Sequence, residues 1–232
     1  MIHIKQLSKA YGNSFSLDIP ELLIKNEEIV GIVGNNGAGK TTLLRALLDL
    51  IELDEGKITI NGYQVGDDEC WKEITGSYLD ESFLIDHMTP FEYFKLCAQL
   101  YDINAEIIED KINANKRFLS SVNLYNKLIR ELSSGNKKKV GIVSSLFVAP
   151  QLIILDEPFV SLDPTSKIQL KNILKKINTR DQVTVVLSSH NLDYISEICE
   201  KVILLDNGCI KKRFNHWDHN RVDIESAFKK KS

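Results

Sequence analysis

Phe15, Leu17 and Ile19 alternate with Ser16 and Asp18, the two-residue period of a strand with one buried face. Ile58 and Ile60 alternate likewise and run into Asn61-Gly62, a tight-turn pair, before Tyr63 and Val65, which predicts a hairpin. Elsewhere the apolar positions are continuous. Residues 29–33, 152–155 and 183–187 have the pattern of strands covered on both faces. Across residues 90–124 the spacing becomes helical, with Phe94, Cys97 and Tyr101, then Ile108, Ile112 and Leu119, at matching offsets. Asn104 is placed to cap the second of these helices. Residues 137–147, with Val140, Val143 and Phe147 on one face and Pro150 as the stop, predict a further helix, and residues 168–177 another. Residues 202–205, Asn207-Gly208 and Cys209-Ile210 predict a terminal hairpin. Strands alternating with helices imply an α/β sheet, with the central helical block as an insertion at approximately 83–148. No repeat, low-complexity tract or linker divides the chain, so residues 1–232 are expected to form one composite domain with a short tail at 211–232.

Composition narrows the function classes. The 232 residues carry 29 basic and 32 acidic side chains, a formal net charge of −3. That balance disfavours a protein whose main task is gripping nucleic acid through phosphate neutralisation, and no nucleic-acid partner is expected. No apolar run approaches the roughly 18 residues of a membrane span, and the N-terminal segment lacks the apolar core of a signal peptide. A water-soluble, cytosolic chain is expected, with any membrane role exercised through a partner. Cys70, Cys97, Cys199 and Cys209 form no CxxC pair and read as ordinary thiols in a reducing compartment.

Gly34-Asn35-Asn36-Gly37-Ala38-Gly39-Lys40-Thr41 matches the phosphate-loop pattern G-x-x-x-x-G-K-[ST], and its context fits: a buried-type strand leads in, and Thr42 begins an apolar helical run leading out. Glycines allow the tight turn that aims backbone N–H groups at phosphates. Lys40 supplies charge for the β- and γ-phosphates, and the Thr41 hydroxyl is a ligand for Mg²⁺. The helix adds its positive N-terminal dipole. This segment, Thr42 included, is the expected nucleoside-triphosphate site. Four apolar residues followed by Asp156-Glu157-Pro158 describe a strand delivering two carboxylates to its C-terminal edge, where open α/β sheets bind ligands. Asp156 is then a metal-holding acid and Glu157 the group that deprotonates the attacking water.

With these segments in order, the chain resembles the nucleotide-binding subunit of ATP-binding cassette (ABC) transporters. Leu132-Ser133-Ser134-Gly135-Asn136 stands where that family has its LSGGQ signature, Ser161-Leu162-Asp163 where a loop follows its Asp-Glu-Pro, His190 where it has a switch histidine, and Tyr11 where an aromatic stacks on adenine. The matches cover residues from about 7 to 210. The resemblance implies a phosphate-loop NTPase (RecA-like) core with an antiparallel β subdomain and an inserted α-helical subdomain. It implies Mg²⁺-dependent ATP hydrolysis with Lys40, Glu157 and His190 catalytic, and ATP contacts from Tyr11, Ser133, Ser134, Gly135 and Asp163. It also implies a second nucleotide-binding subunit, identical or paralogous, that shares each site, and an integral membrane permease that keeps the chain on the inner face of the cell membrane. The sequence departs from the family at Ser134 and Asn136, where glycine and glutamine are usual, and at Glu81, where the lid loop usually offers a glutamine. Glu81 is expected to join Thr41 and Asp156 as a metal ligand.

Other features have plainer readings. Lys137-Lys138-Lys139 opens a helix, where the dipole disfavours positive charge, and is expected to be a solvated basic face. His216, Asp218 and His219 read as a polar tail rather than a metal site, and Lys229-Lys230-Lys231 as solvated. Phe83, Leu84, Phe91 and Tyr93 flank the lid loop, where the family has a groove for a short helix of the membrane subunit. The expected function is an ATPase subunit powering a separate permease, with Tyr78-Leu79-Asp80-Glu81 and residues 91–101 resembling the export branch. The alternatives are a cytosolic assembly ATPase on the same cassette and a non-hydrolysing binding module.

Overall fold

The computed structural model describes residues 1–12, 14–101 and 103–215. β1 (Ile2–Tyr11) and β2 (Phe15–Ile24) form an antiparallel pair, with Ile4 opposite Leu22 and Leu7 opposite Ile19. Pattern reading missed β1 because its buried residues Ile2, Ile4 and Leu7 break strict alternation. The pairing of β1 with a later strand shifts register between Lys5 and Ser8, and Gln6 there has φ 51°.

β3 (Ile29–Val33) leads through a glycine-rich loop to α1 (Lys40–Leu47). The expected hairpin follows as β4 (Glu55–Ile60) and β5 (Tyr63–Gln64). A short α2 (Cys70–Glu73) precedes β6 (Thr75–Tyr78). Helices α3 (Pro90–Leu100), α4 (Ala105–Ala114) and α5 (Ser134–Ser144) then intervene before β7 (Leu152–Leu155). The chain continues through α6 (Pro164–Asp181), β8 (Thr184–Ser189), α7 (Leu192–Ser196), β9 (Lys201–Asp206) and β10 (Cys209–Asn215).

One sheet takes the order β5-β4-β1-β2-β10-β9-β3-β8-β7-β6 among the described residues. Its β9-β3-β8-β7-β6 half is parallel, and the remainder pairs mainly antiparallel. This is the α/β architecture expected. Ile29 and Val33 pack into one core layer with Ile153 and Leu155, whereas Val30 and Ile32 pack into the other with Leu152 and Ile154. Alternate residues thus serve opposite layers, which explains the continuous apolar runs. Each such side chain contributes about 1.5–3 kcal/mol by leaving water.

Among the boundaries that move, two bear on the site and the tail. α5 begins at Ser134 rather than Lys137, because Ser133 accepts a hydrogen bond from Asn136 N (3.3 Å) and caps it. Residues 211–215, expected as tail, belong to β10, where buried Phe214 pairs with Val202 across the hairpin. His216, Asp218, His219 and Lys229-Lys230-Lys231 lie outside the described residues. No helix among the described residues is long and apolar enough to cross a membrane.

Candidate nucleotide site

The fully buried β3 delivers the chain to Gly34, and the loop turns back on itself through Ala38 N donating to Asn35 O (3.1 Å). Gly39, at the foot of α1, has φ 103°. A Cβ there would stand 2.8 Å from the Phe15 ring, so both the backbone conformation and the space call for glycine. Lys40 is 7% exposed, and its ammonium donates to the carbonyls of Gly34 (2.8 Å) and Asn35 (3.2 Å). α1 has neither a side-chain cap nor an acidic residue in its first turn, which leaves the positive end of its dipole unneutralised. A cavity of about 540 Å³ opens over this loop, bordered by Phe15, Asn36, Gly37, Lys40, Thr41, Thr42 and Glu157, with Ser14 and Asn207. Ser14, Phe15 and Asn207 were not anticipated as site residues. Phe15 reads as a strand position, and Asn207-Gly208 as a hairpin turn. That turn in fact supports the loop, with Gly208 N donating to Ala38 O (2.9 Å).

β7 places the two acids where expected. Asp156 is buried and accepts hydrogen bonds from the hydroxyls of Thr41 (2.5 Å) and Ser188. Glu157 Oε1 lies 2.8 Å from His190 Nδ1 and 3.7 Å from Lys40 Nζ. His190 Nδ1 is placed to donate a hydrogen bond to that carboxylate. Glu157 itself has φ 45°, a left-handed conformation that costs a non-glycine residue about 1–3 kcal/mol. Its N–H donates to Ser188 Oγ (2.9 Å), and its carbonyl accepts from Lys138 Nζ (2.7 Å).

The start of α5 is built differently. Ser133 and Ser134 are exposed, and neither they nor Gly135 border the cavity. Gly135 is required by its own chain, since a Cβ would stand 2.5 Å from Ser161 O. The three lysines that follow do not form a solvated face. Lys137 pairs with Glu81 (3.4 Å) and Asp86 (3.9 Å), and buried Lys139 pairs with Asp163 (3.5 Å) and donates to Ser121 Oγ (2.9 Å). Burial pushes the Lys138 ammonium pKa down, opposed by the carboxylates of Glu157, Asp156 and Glu81. These partners offset the unfavourable dipole that made a free basic face the simpler expectation.

Glu81 is not brought to Thr41 and Asp156. Asp80 caps a single 3₁₀ turn at Glu81–Phe83, and the Glu81 carboxylate is drawn to Lys137. Among the described residues no three acidic, histidine or cysteine side chains form a metal-holding cluster, and of the three expected metal ligands Thr41 and Asp156 are in contact. Asp163 caps α6 through Ser166 N (2.9 Å) and lies outside the cavity lining. Hydrogen bonds from Ser166, with Lys139 beside it, hold its carboxyl down to about 2. Tyr11 is half exposed at the end of β1, its ring 6.4 Å from Phe15, which does line the cavity.

The family model described as ABC transporter matches residues 17–160. The methionine import ATP-binding protein MetN of Clostridium acetobutylicum is 32% identical over 226 residues, covering 91% of this chain and 68% of that protein. The probable sulfate/thiosulfate import ATP-binding protein CysA of Chlorella vulgaris is 29% identical over 209 residues, 90% of this chain and 89% of its own. A solved structure described as the ATP binding subunit of an ABC transporter superposes with TM-score 0.84 at 26% identity, covering 100% of this chain and 95% of that one.

Proposed function

This chain belongs to the ABC transporter family and is an ATPase, and we propose that two copies close around two ATP to power transport by a separate membrane-spanning subunit. One observation carries this reading: Lys40, Thr41, Asp156, Glu157 and His190 converge beside a single phosphate-loop cavity. The Thr41 hydroxyl and the Asp156 carboxylate are hard oxygen donors that suit Mg²⁺. Bound there, Mg²⁺ would neutralise phosphate charge. Lys40 exchanges its carbonyl partners for phosphate oxygens, which form stronger, charge-assisted bonds. Glu157, oriented by His190, takes a proton from water as the water oxygen bonds to the γ-phosphorus and the bridging P–O bond breaks, leaving ADP and phosphate.

Exposed Ser133 and Ser134, with Gly135, at the positive end of α5 but outside their own chain's cavity, suit a partner's triphosphate. Tyr11 is the proposed adenine platform, and Asp163 the proposed contact near the shared interface. Glu81 keeps the lid assignment, with release from Lys137 as its condition. Phe83, 49% exposed beside the lid, supports the groove for a short helix of the membrane subunit, with the chain on the cytoplasmic face. We propose export, on the lid segment Tyr78-Leu79-Asp80-Glu81. The import proteins named above favour import as the second reading.

The test is ATP turnover with size analysis. Glu157→Gln should lose about 100-fold or more in turnover, the scale of removing a proton-transfer group, and should form dimers that persist with ATP. A Glu157→Gln chain as active as wild type, or a wild type inactive even beside its permease, would overturn the reading.

A further inference from the structure

We propose that Lys138 and Ser188 are positioning residues that clamp the Glu157 backbone in its left-handed conformation. The inference rests on Glu157 serving as the base. With φ 45°, the Glu157 peptide would relax toward an ordinary conformation unless its surroundings held it. Both of its flanking backbone groups are held. Ser188 is fully buried, and its hydroxyl proton is committed to Asp156, which turns a lone pair toward Glu157 N–H at 2.9 Å. Lys138 reaches across from α5 and donates to the Glu157 carbonyl at 2.7 Å. Because Lys138 grips the carbonyl, the carboxylate stays free for His190 at 2.8 Å and Lys40 at 3.7 Å. The lysine comes from the same helix whose start presents Ser133 and Ser134 outward. A shift of α5 is therefore transmitted to the carboxylate of this chain's own site.

Steady-state ATPase kinetics and hydrogen exchange of the nucleotide-free full chain test the clamp together. Lys138→Met should lower kcat about tenfold or more with KM for ATP within about threefold, since a small misplacement of a reacting group is costly. Lys138→Arg, which keeps the charge and donors, should return kcat to within about threefold of wild type. Exchange in Lys138→Met should quicken about fivefold across residues 156–161 while β3 and α1 are unchanged. Unaltered kcat, or exchange rising throughout the sheet with kcat and KM moving together, would overturn the proposal. If Lys138→Met does not fold, Ser188→Ala carries the test, with the same split expected and an unchanged kcat decisive against it. Should Glu157→Gln retain full turnover, the role of Glu157 as base fails, while the exchange result still decides the clamp.

Discussion

α1 and α5 both present a helix N-terminus to chemistry, yet they are finished in opposite ways. α1 starts from a left-handed Gly39, carries no side-chain cap, and aims its free end into a cavity bordered by Lys40, Thr41 and Glu157. Forgoing a cap there costs about 1 kcal/mol, and it leaves N–H groups and dipole free for an anion. α5 is capped by Ser133, tied down by Lys137 and Lys139, and exposes Ser133 and Ser134 away from its own chain's cavity. On the proposed reading, the first terminus is the half of a shared site that binds this chain's own nucleotide, and the second is the half offered to a partner's nucleotide.

Disabling each terminus separately should break the comparison open. Lys40→Ala removes the buried cation of the first terminus. Turnover should fall by about 100-fold or more, as for loss of a charged group facing developing phosphate charge, with nucleotide affinity lost in a binding titration. Ser134→Glu acts on the second terminus. An acid in the first turn of α5 favours the helix by about 0.3–1 kcal/mol, so thermal unfolding should be unchanged or slightly later. The same charge repels a partner's triphosphate, and turnover should drop about tenfold while ATP binding to the isolated chain is retained. If Ser134→Glu weakened binding to the isolated chain as Lys40→Ala does, the two termini would serve one site.

The first terminus was legible in the sequence because its chemistry is local. A buried strand, a glycine-rich loop and a helix follow one another within residues 29–47, and Asp156-Glu157 follows a run of four apolar residues whose pattern fixes the strand. The second was only half legible. Lys137-Lys138-Lys139 read as solvated because their partners Glu81, Glu157 and Asp163 are distant in the chain. The lid residue Glu81 could be placed by resemblance, but its pairing with Lys137 is a tertiary outcome. Phe15 was read only as a strand residue and Ser188 was given no role of its own, since nothing local signals that a ring lines a phosphate cavity or that one hydroxyl bridges two acidic residues.

A smaller effect sharpens the picture at Asp163, which links α6 to the α5 side through Lys139. Its folded pKa is lowered, from 3.8 to about 2, chiefly by Ser166. Its contribution to stability is therefore present above pH 3.8 and lost as pH falls through about 2. Asp163→Asn keeps a capping side chain but not the charge. Urea midpoints followed by circular dichroism should show a shallower loss of stability across that acid window, with neutral-pH turnover the lesser change.

Mixing the two disabled chains tests most directly the claim that each site is shared. Lys40→Ala retains an intact α5 start, and Ser134→Glu retains an intact phosphate loop, so a mixed pair contains one complete site. Equal amounts of the two chains should recover up to about a quarter of wild-type turnover by random pairing of a two-fold assembly, well above the sum of the separate chains. Turnover no higher than that sum would contradict the account.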